Sequence, residues 1–217
     1  MVHKTLFDKE LAKTDFRVAI FGSTRVKKGD KTYAVVYRLA KMIGHEGIDI
    51  VTGGGPGLME AASTGHAAGS KGTNNSHTLG LLIKLPKKQR TSKNLDIKHE
   101  FSKFSERLDT FMSLSNAVVV ASGGLGTLLE LVYTWQLAQV KNLCNTPIIL
   151  LGDQWPDFIK WIKRWPLKHK FMSERDLEYI FSAKTCDDAM QILAEAHDLY
   201  KKGDKNLCLN IKKYKVD

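Results

Sequence analysis

Twice in this chain a short apolar run gives way to a cluster of glycines that opens a helix-patterned stretch. Residues 48–52 lead into Gly53, Gly54, Gly55, Pro56 and Gly57, with Glu60 soon after. Residues 116–121 lead into Ser122, Gly123, Gly124, Leu125, Gly126 and Thr127, with Glu130 soon after. Glycines let backbone N–H groups approach an anion closely, and the helix N-terminus that follows adds unpaired donors and the positive end of a dipole. Thr127 adds a hydroxyl suited to a phosphate oxygen. Neither turn ends in Gly-Lys-Ser/Thr and neither completes Gly-x-Gly-x-x-Gly, so a triphosphate loop and a dinucleotide fingerprint are both absent. One phosphate at the second turn is the economical expectation.

The same alternation runs through the whole chain. Apolar runs at 16–21, 48–52, Thr78–Ile83, 116–121 and 147–151 read as buried strands, with shorter ones at Ile97–Phe101 and 178–182. Between them lie helix-patterned stretches at 31–46, 56–68, 105–115, 126–140, 155–165 and Cys186–Lys201, with Pro56 at the first position of its helix. No Pro/Gly/Ser linker divides the series. This predicts one α/β domain over 1–217, a doubly wound, mostly parallel, Rossmann-like sheet of about seven strands with helices on both faces. Ligands in such sheets bind beyond the carboxyl ends of the strands. The glycine turns and the Gly22, Ser23, Thr24 turn after the first strand all fall there.

Charge narrows the question of partners. The 33 basic and 23 acidic residues leave a net +10, but 84–103 carries +5, 158–170 carries +5 and 201–217 carries +4. The rest of the chain is net −4. The surplus therefore sits in a loop, a helix and a tail. The loop at 84–103 follows the third strand, where it would steer an anionic substrate. Residues 158–170 read as an amphipathic helix, with Phe158, Ile159, Ile162 and Trp165 toward the sheet and lysines toward water, so nucleic-acid binding is not expected. No apolar run reaches the ~20 residues of a membrane span. The charged start of the chain lacks the apolar core of a signal peptide. Cys144, Cys186 and Cys208 lack metal or redox spacing and read as reduced cytoplasmic thiols, and no His or carboxylate cluster marks a metal site.

Glu130 stands out because a carboxylate beside a bound phosphate is unfavourable without a counter-charge. Arg107, on the preceding helix, is the cation at hand. The two turns, GGGPGLMEAA and SGGLGTLLEL, together with VAIFGST at the first strand, resemble the Lonely Guy (LOG) family over roughly 17–151. That family comprises nucleoside 5′-monophosphate phosphoribohydrolases long labelled lysine decarboxylases. The resemblance implies Glu130 and Arg107 as catalytic residues, 23 positions apart as the family pattern requires. It implies Gly123, Gly124, Gly126 and Thr127 as the phosphate turn, with Gly54, Gly55, Gly57, Ser23 and Glu60 at the nucleotide. Ser122 stands in place of the family's Pro, and in the family's Met-His-x-Arg-Lys box the His and Lys are replaced by Ser105 and Leu108.

The implied reaction is hydrolysis of the N-glycosidic bond of a nucleoside 5′-monophosphate, AMP or a cytokinin riboside monophosphate among them, with no cofactor and no metal. Glu130 at a helix start is expected to be ionised. Glu60 and Asp109 are candidates for the leaving-group acid. The alternative within the same fold is a non-catalytic nucleotide or molybdenum-cofactor carrier. Family members are commonly dimers, and Val132, Trp135 and Leu137 surround the helix after the second turn, pointing to a second apolar partner such as the same helix of another subunit.

Overall fold

Residues Arg17–Phe21 (β1) are buried throughout and occupy the middle of the sheet. In this computed structural model the described residues are 6–72, 76–86, 89–140, 146–204 and 207–216. The other strands are Asp49–Thr52 (β2), Thr78–Ile83 (β3), Ile97–Phe101 (β4), Ala117–Val120 (β5), Ile148–Leu151 (β6) and Ile180–Ala183 (β7). Their order is β4-β3-β2-β1-β5-β6-β7, and every pairing between them is parallel. The chain winds outward from β1 to β4, then returns to lay β5 on the other side of β1. The topology therefore reverses between β1 and β5, where a doubly wound sheet opens a crevice at its carboxyl edge.

Alternate strand residues feed two cores. Val18, Ile20, Ile50, Val119 and Ile149 pack under Lys31–His45 (α2), Leu58–Gly69 (α3) and Cys186–Lys201 (α7). Ala19, Phe21, Val51, Val118 and Leu150 pack under Phe104–Leu114 (α4), Leu125–Gln139 (α5) and Trp155–Ile162 (α6). Burial on both faces explains why the strands read as continuous apolar runs. The one charge in β1 is Arg17, and the fold gathers Glu10, Asp15 and Asp49 around it at 3.1–3.4 Å. Glu10 and Asp15 are near Arg17 in sequence, whereas Asp49 is 32 residues away, so its part in the cluster was invisible there.

Several boundaries differ from the sequence reading. Pro56 lies outside α3, whose cap is Gly57 with φ 72°. The long helix expected at 155–165 ends at Ile162 and widens into a π-helical turn, Lys163–Leu167, around Pro166. A short helix, Leu6–Leu11 (α1), adds Phe7 to the β4 edge, stacked on His99. The basic C-terminal segment is no free tail. After Leu207–Asn210 (α8), Ile211 is buried, and the chain pairs antiparallel with β7 through the Ser182 N–H to the Tyr214 carbonyl (2.7 Å) and the Val216 N–H to the Ile180 carbonyl (3.3 Å). Cys186 and Cys208 are buried and form no disulfide, and Cys144 lies outside the described residues. No helix among the described residues is long and apolar enough to cross a membrane.

Candidate active site

The three strand ends meet where the topology reverses. The Ser23 N–H donates to the Ser122 carbonyl at 3.1 Å, and the Leu58 N–H donates to the Ser23 carbonyl at 2.9 Å, so the turns after β1, β2 and β5 are tied together by backbone. Gly57 must be glycine here: its φ is positive, and a Cβ would collide with the Ser23 carbonyl. Above them opens a cleft of about 1030 Å³. Ser23, Gly55, Arg107, Gly124, Gly126, Thr127 and Glu130 all line it.

Glu130 lies in the second turn of α5, with Thr127 buried one turn earlier. Its side chain is only 14% exposed, and its Oε1 lies 3.7 Å from Nη1 of Arg107. That is an ion pair without a hydrogen bond. The Arg107 Nε donates instead to the Leu81 carbonyl (2.6 Å), and its guanidinium lies 5.0 Å from the centre of the Phe111 ring. A residue on α4 is thus anchored to β3 and reaches the start of α5. Gly53 makes the passage possible, because a Cβ there would run into Arg107 Nη2 and stand 2.5 Å from the Met59 sulfur.

Electrostatics at the pair depart from the sequence reading. Burial pushes Glu130 up to about 7, with Arg107 opposing the shift. The expectation of a plainly ionised carboxylate, drawn from its place near a helix start, is therefore corrected: desolvation outweighs the charge of Arg107. Burial also lowers the Arg107 pKa, with Glu130 acting the other way.

Not every predicted site residue reaches the cleft. Gly54 and Gly57 shape the first turn from behind, and the Gly54 carbonyl accepts from the Ser92 N–H at 2.8 Å. Gly123 is also outside the lining: its N–H donates to Gln154 Oε1 (3.1 Å) and its carbonyl accepts from Gln154 Nε2 (3.4 Å). The N–H groups left for an anion are those further into the turn. Glu60 is held by the Arg90 guanidinium, and Asp109 accepts from the Tyr133 hydroxyl; neither lines the cleft.

The cleft also contains residues the sequence did not single out. Arg25, Lys84, Arg90, Gln89, Glu100 and Phe104 line it. The basic stretch 84–103 was the legible signal for two of these, Lys84 and Arg90, and Lys87 and Lys88 of that stretch lie outside the described residues. Glu100, on an edge strand, gave no signal. Of the three apolar residues expected around α5, Trp135 is buried, Leu137 packs partly buried against the core and Val132 is exposed, where it joins Leu125 and Leu129, with Val140 exposed just past the end of the helix.

These features define a doubly wound α/β protein whose ligand cleft lies at its topological switch point and holds a buried carboxylate–guanidinium pair. Residues 59–193 match the family described as "Possible lysine decarboxylase", and the chain belongs to that family, the LOG family its glycine turns resemble. A relative from Escherichia coli strain K12, a pyrimidine/purine nucleotide 5′-monophosphate nucleosidase, is 28% identical over 147 residues, covering 63% of this chain and 31% of that protein. The chain thus spans about a third of the length of the curated relative it matches. Among solved structures, the molybdenum cofactor binding protein of the phototrophic bacterium Rippkaea orientalis superimposes with a TM-score of 0.62 at 20% identity, over 83% of this chain and 96% of that one. The molybdenum cofactor carrier protein of Chlamydomonas reinhardtii gives 0.61 at 20% identity, over 84% and 98%. At such identities the two structures speak for the fold alone.

Proposed function

We propose that this chain hydrolyses the N-glycosidic bond of nucleoside 5′-monophosphates to free base and ribose 5-phosphate. The observation that carries this reading is the Arg107–Glu130 pair, 3.7 Å apart, inside the cleft and one turn from the glycine-rich start of α5. Membership of the family and the likeness to a nucleotide 5′-monophosphate nucleosidase agree with it.

In this mechanism the 5′-phosphate rests on the N-terminal turn of α5, at Gly124, Gly126 and Thr127, where backbone donors and the helix dipole favour an anion. Ser23 and Gly55 lie across the cleft beside the sugar. Breaking the C1′–N bond develops positive charge on the ribose, which an ionised Glu130 stabilises while taking a proton from the attacking water. The water oxygen bonds to C1′, the bond's electron pair leaves with the base, and the proton that Glu130 drew from the water passes through solvent to the departing base, which restores the carboxylate. Arg107 offsets the repulsion between the phosphate and Glu130 and keeps the carboxylate in place. Because burial holds the free carboxyl near neutrality, Glu130 exchanges its proton within the working range of such a reaction. The exposed apolar residues Leu125, Leu129, Val132 and Val140 would be covered in a homodimer.

The test is incubation with AMP, GMP, IMP, CMP and UMP, with free base measured against Glu130→Gln. Base release by the native chain and its loss in the variant support the reading. A second reading, a carrier of a phosphorylated ligand, draws on the size of the cleft, which is at the upper end of the ~300–1,000 Å³ usual for ligand sites. Saturable nucleotide binding with no base release would favour the carrier.

A further inference from the structure

The segment beyond α6 is used by none of this chemistry. Residues 158–170 hold five basic residues and no acidic one, and aromatic rings recur between the cations. An uninterrupted α-helix would have carried Trp165 onto the sheet with Ile159 and Ile162, as the sequence reading expected. Pro166 has no N–H to continue the α-helical ladder. The chain instead closes wider rings, with the Lys168 N–H donating to the Lys163 carbonyl (3.2 Å) and the Phe171 N–H to the Pro166 carbonyl (2.8 Å). The wider turn carries Trp165 off the buried face, and it is 51% exposed; Trp161 is 53% exposed and Phe171 82%.

These rings are ordered against one another. Trp165 stacks on His169 with centroids 5.1 Å apart and planes 9° apart, and His169 stacks on Phe171 at 5.9 Å and 23°. His169 is fixed by a 2.9 Å hydrogen bond between its Nδ1 and the Trp165 carbonyl. Lys170 turns the chain back with φ 61°, a conformation disfavoured for a residue with a Cβ, and this brings Phe171 over the histidine. A second stacked pair, Phe158 and Trp161, lies one turn earlier. Lys160, Arg164, Lys168 and Lys170 are exposed around the rings, and among the described residues none of them has a salt-bridge partner. Asp157 and Glu174 border the segment only at its two ends.

We infer that this surface binds a single-stranded polynucleotide, its bases continuing the Trp165–His169–Phe171 column and its phosphates meeting Lys160, Arg164, Lys168 and Lys170. Unpaired bases have free faces to stack on exposed rings, and a run of cations beside rings is the arrangement that tracks such a strand. A duplex keeps its base faces covered and gains only the charge contacts. A membrane surface would call for an apolar face free of charges, whereas here cations separate the rings along the chain.

The experiment is fluorescence anisotropy of a fluorescein-labelled 20-mer of thymidylate titrated with the full chain, from 50 to 300 mM salt. The expected result is saturable binding that weakens with salt, with a log–log slope of about −2 to −3 for three to four phosphates neutralised. Phe171→Ala and Trp165→Ala each weaken binding about tenfold. Lys168→Glu weakens it and flattens the salt slope. Phe171 is so exposed that its loss leaves the fold intact, and nucleotide hydrolysis by Phe171→Ala stays at the native rate. Millimolar AMP does not displace the oligomer, and a 20-base-pair duplex binds less tightly. Absence of binding at 50 mM salt, indifference to both ring substitutions, or displacement by AMP would each overturn the inference. So would retention on vesicles containing phosphatidylserine, sensitive to Phe171→Ala, without oligomer binding. Apart from the hydrolysis control, none of these outcomes depends on whether the cleft is hydrolytic.

Discussion

Arg107 and Glu130 face each other at 3.7 Å without sharing a hydrogen bond, because the guanidinium is committed through Nε to the Leu81 carbonyl. The pair is thus close enough for charge to be felt and loose enough for Glu130 to keep its own proton equilibrium. Burial wins that contest and sets the carboxyl at about 7.

For catalysis this fixes the direction of pH dependence. If ionised Glu130 does the work, base release rises with pH and levels off above about 7. Glu130→Gln should lower turnover by roughly 10²–10⁴-fold, the usual contribution of a positioned acid–base group. Arg107→Ala should move the midpoint of the pH–rate profile of the remaining activity upward, since the one cation opposing desolvation is gone. A profile falling with pH, or an unmoved midpoint in Arg107→Ala, would contradict this account.

Stability must respond in the opposite sense. A carboxyl whose folded pKa is raised from 4.5 to about 7 binds more protons folded than unfolded between those limits. Its contribution is fully present below pH 4.5 and is lost as pH rises through about 7. The loss is on the order of 3 kcal/mol at most. Glu130→Gln cannot titrate, so the melting temperature of the native chain minus that of the variant should fall between pH 5 and pH 8, by roughly 5–10 °C. Parallel pH curves for the two proteins would show that Glu130 does not sit in the environment described.

Gly53 gives a third test, aimed at position and not at chemistry. Gly53→Ala places a methyl against Arg107 Nη2 and 2.5 Å from the Met59 sulfur. Both neighbours are ends of long side chains, so the fold should survive with a destabilisation of about 1–3 kcal/mol. The guanidinium must move, however, and turnover should drop at least tenfold. Thermal melting and base-release assays on the same preparation would separate the two effects.

The alternation of elements was readable because the central strands bury both faces, which leaves runs such as Ala117–Val120 without polar residues. The Arg107–Glu130 pair was readable only through its spacing and the two glycine turns. What escaped depended on three-dimensional neighbours. The protonation of Glu130 follows from burial under side chains distant in sequence, and no local pattern encodes it. Gln154 takes the Gly123 amide, and Arg90 takes Glu60, across 31 and 30 residues. Trp165 left the sheet because one proline changed the helix, a shift that periodicity at 3.6 residues per turn does not anticipate.

The C-terminal segment carries the last prediction. The β7 edge would expose unpaired backbone, and such an edge recruits strands from other molecules. Here it is covered by the antiparallel run around Tyr214–Val216, and Cys208 and Ile211 enter the core beneath α7. Removing residues 207–217 should therefore uncover the edge and a patch of core together, costing about 2 kcal/mol or more for Ile211 alone. The truncated chain should melt lower and aggregate on warming. Lys213→Ser in the full-length chain removes a charge from an exposed side chain while leaving the strand pairing, and should leave both properties unchanged. Light scattering during a thermal ramp distinguishes a segment that closes the sheet from one that acts only through its charge.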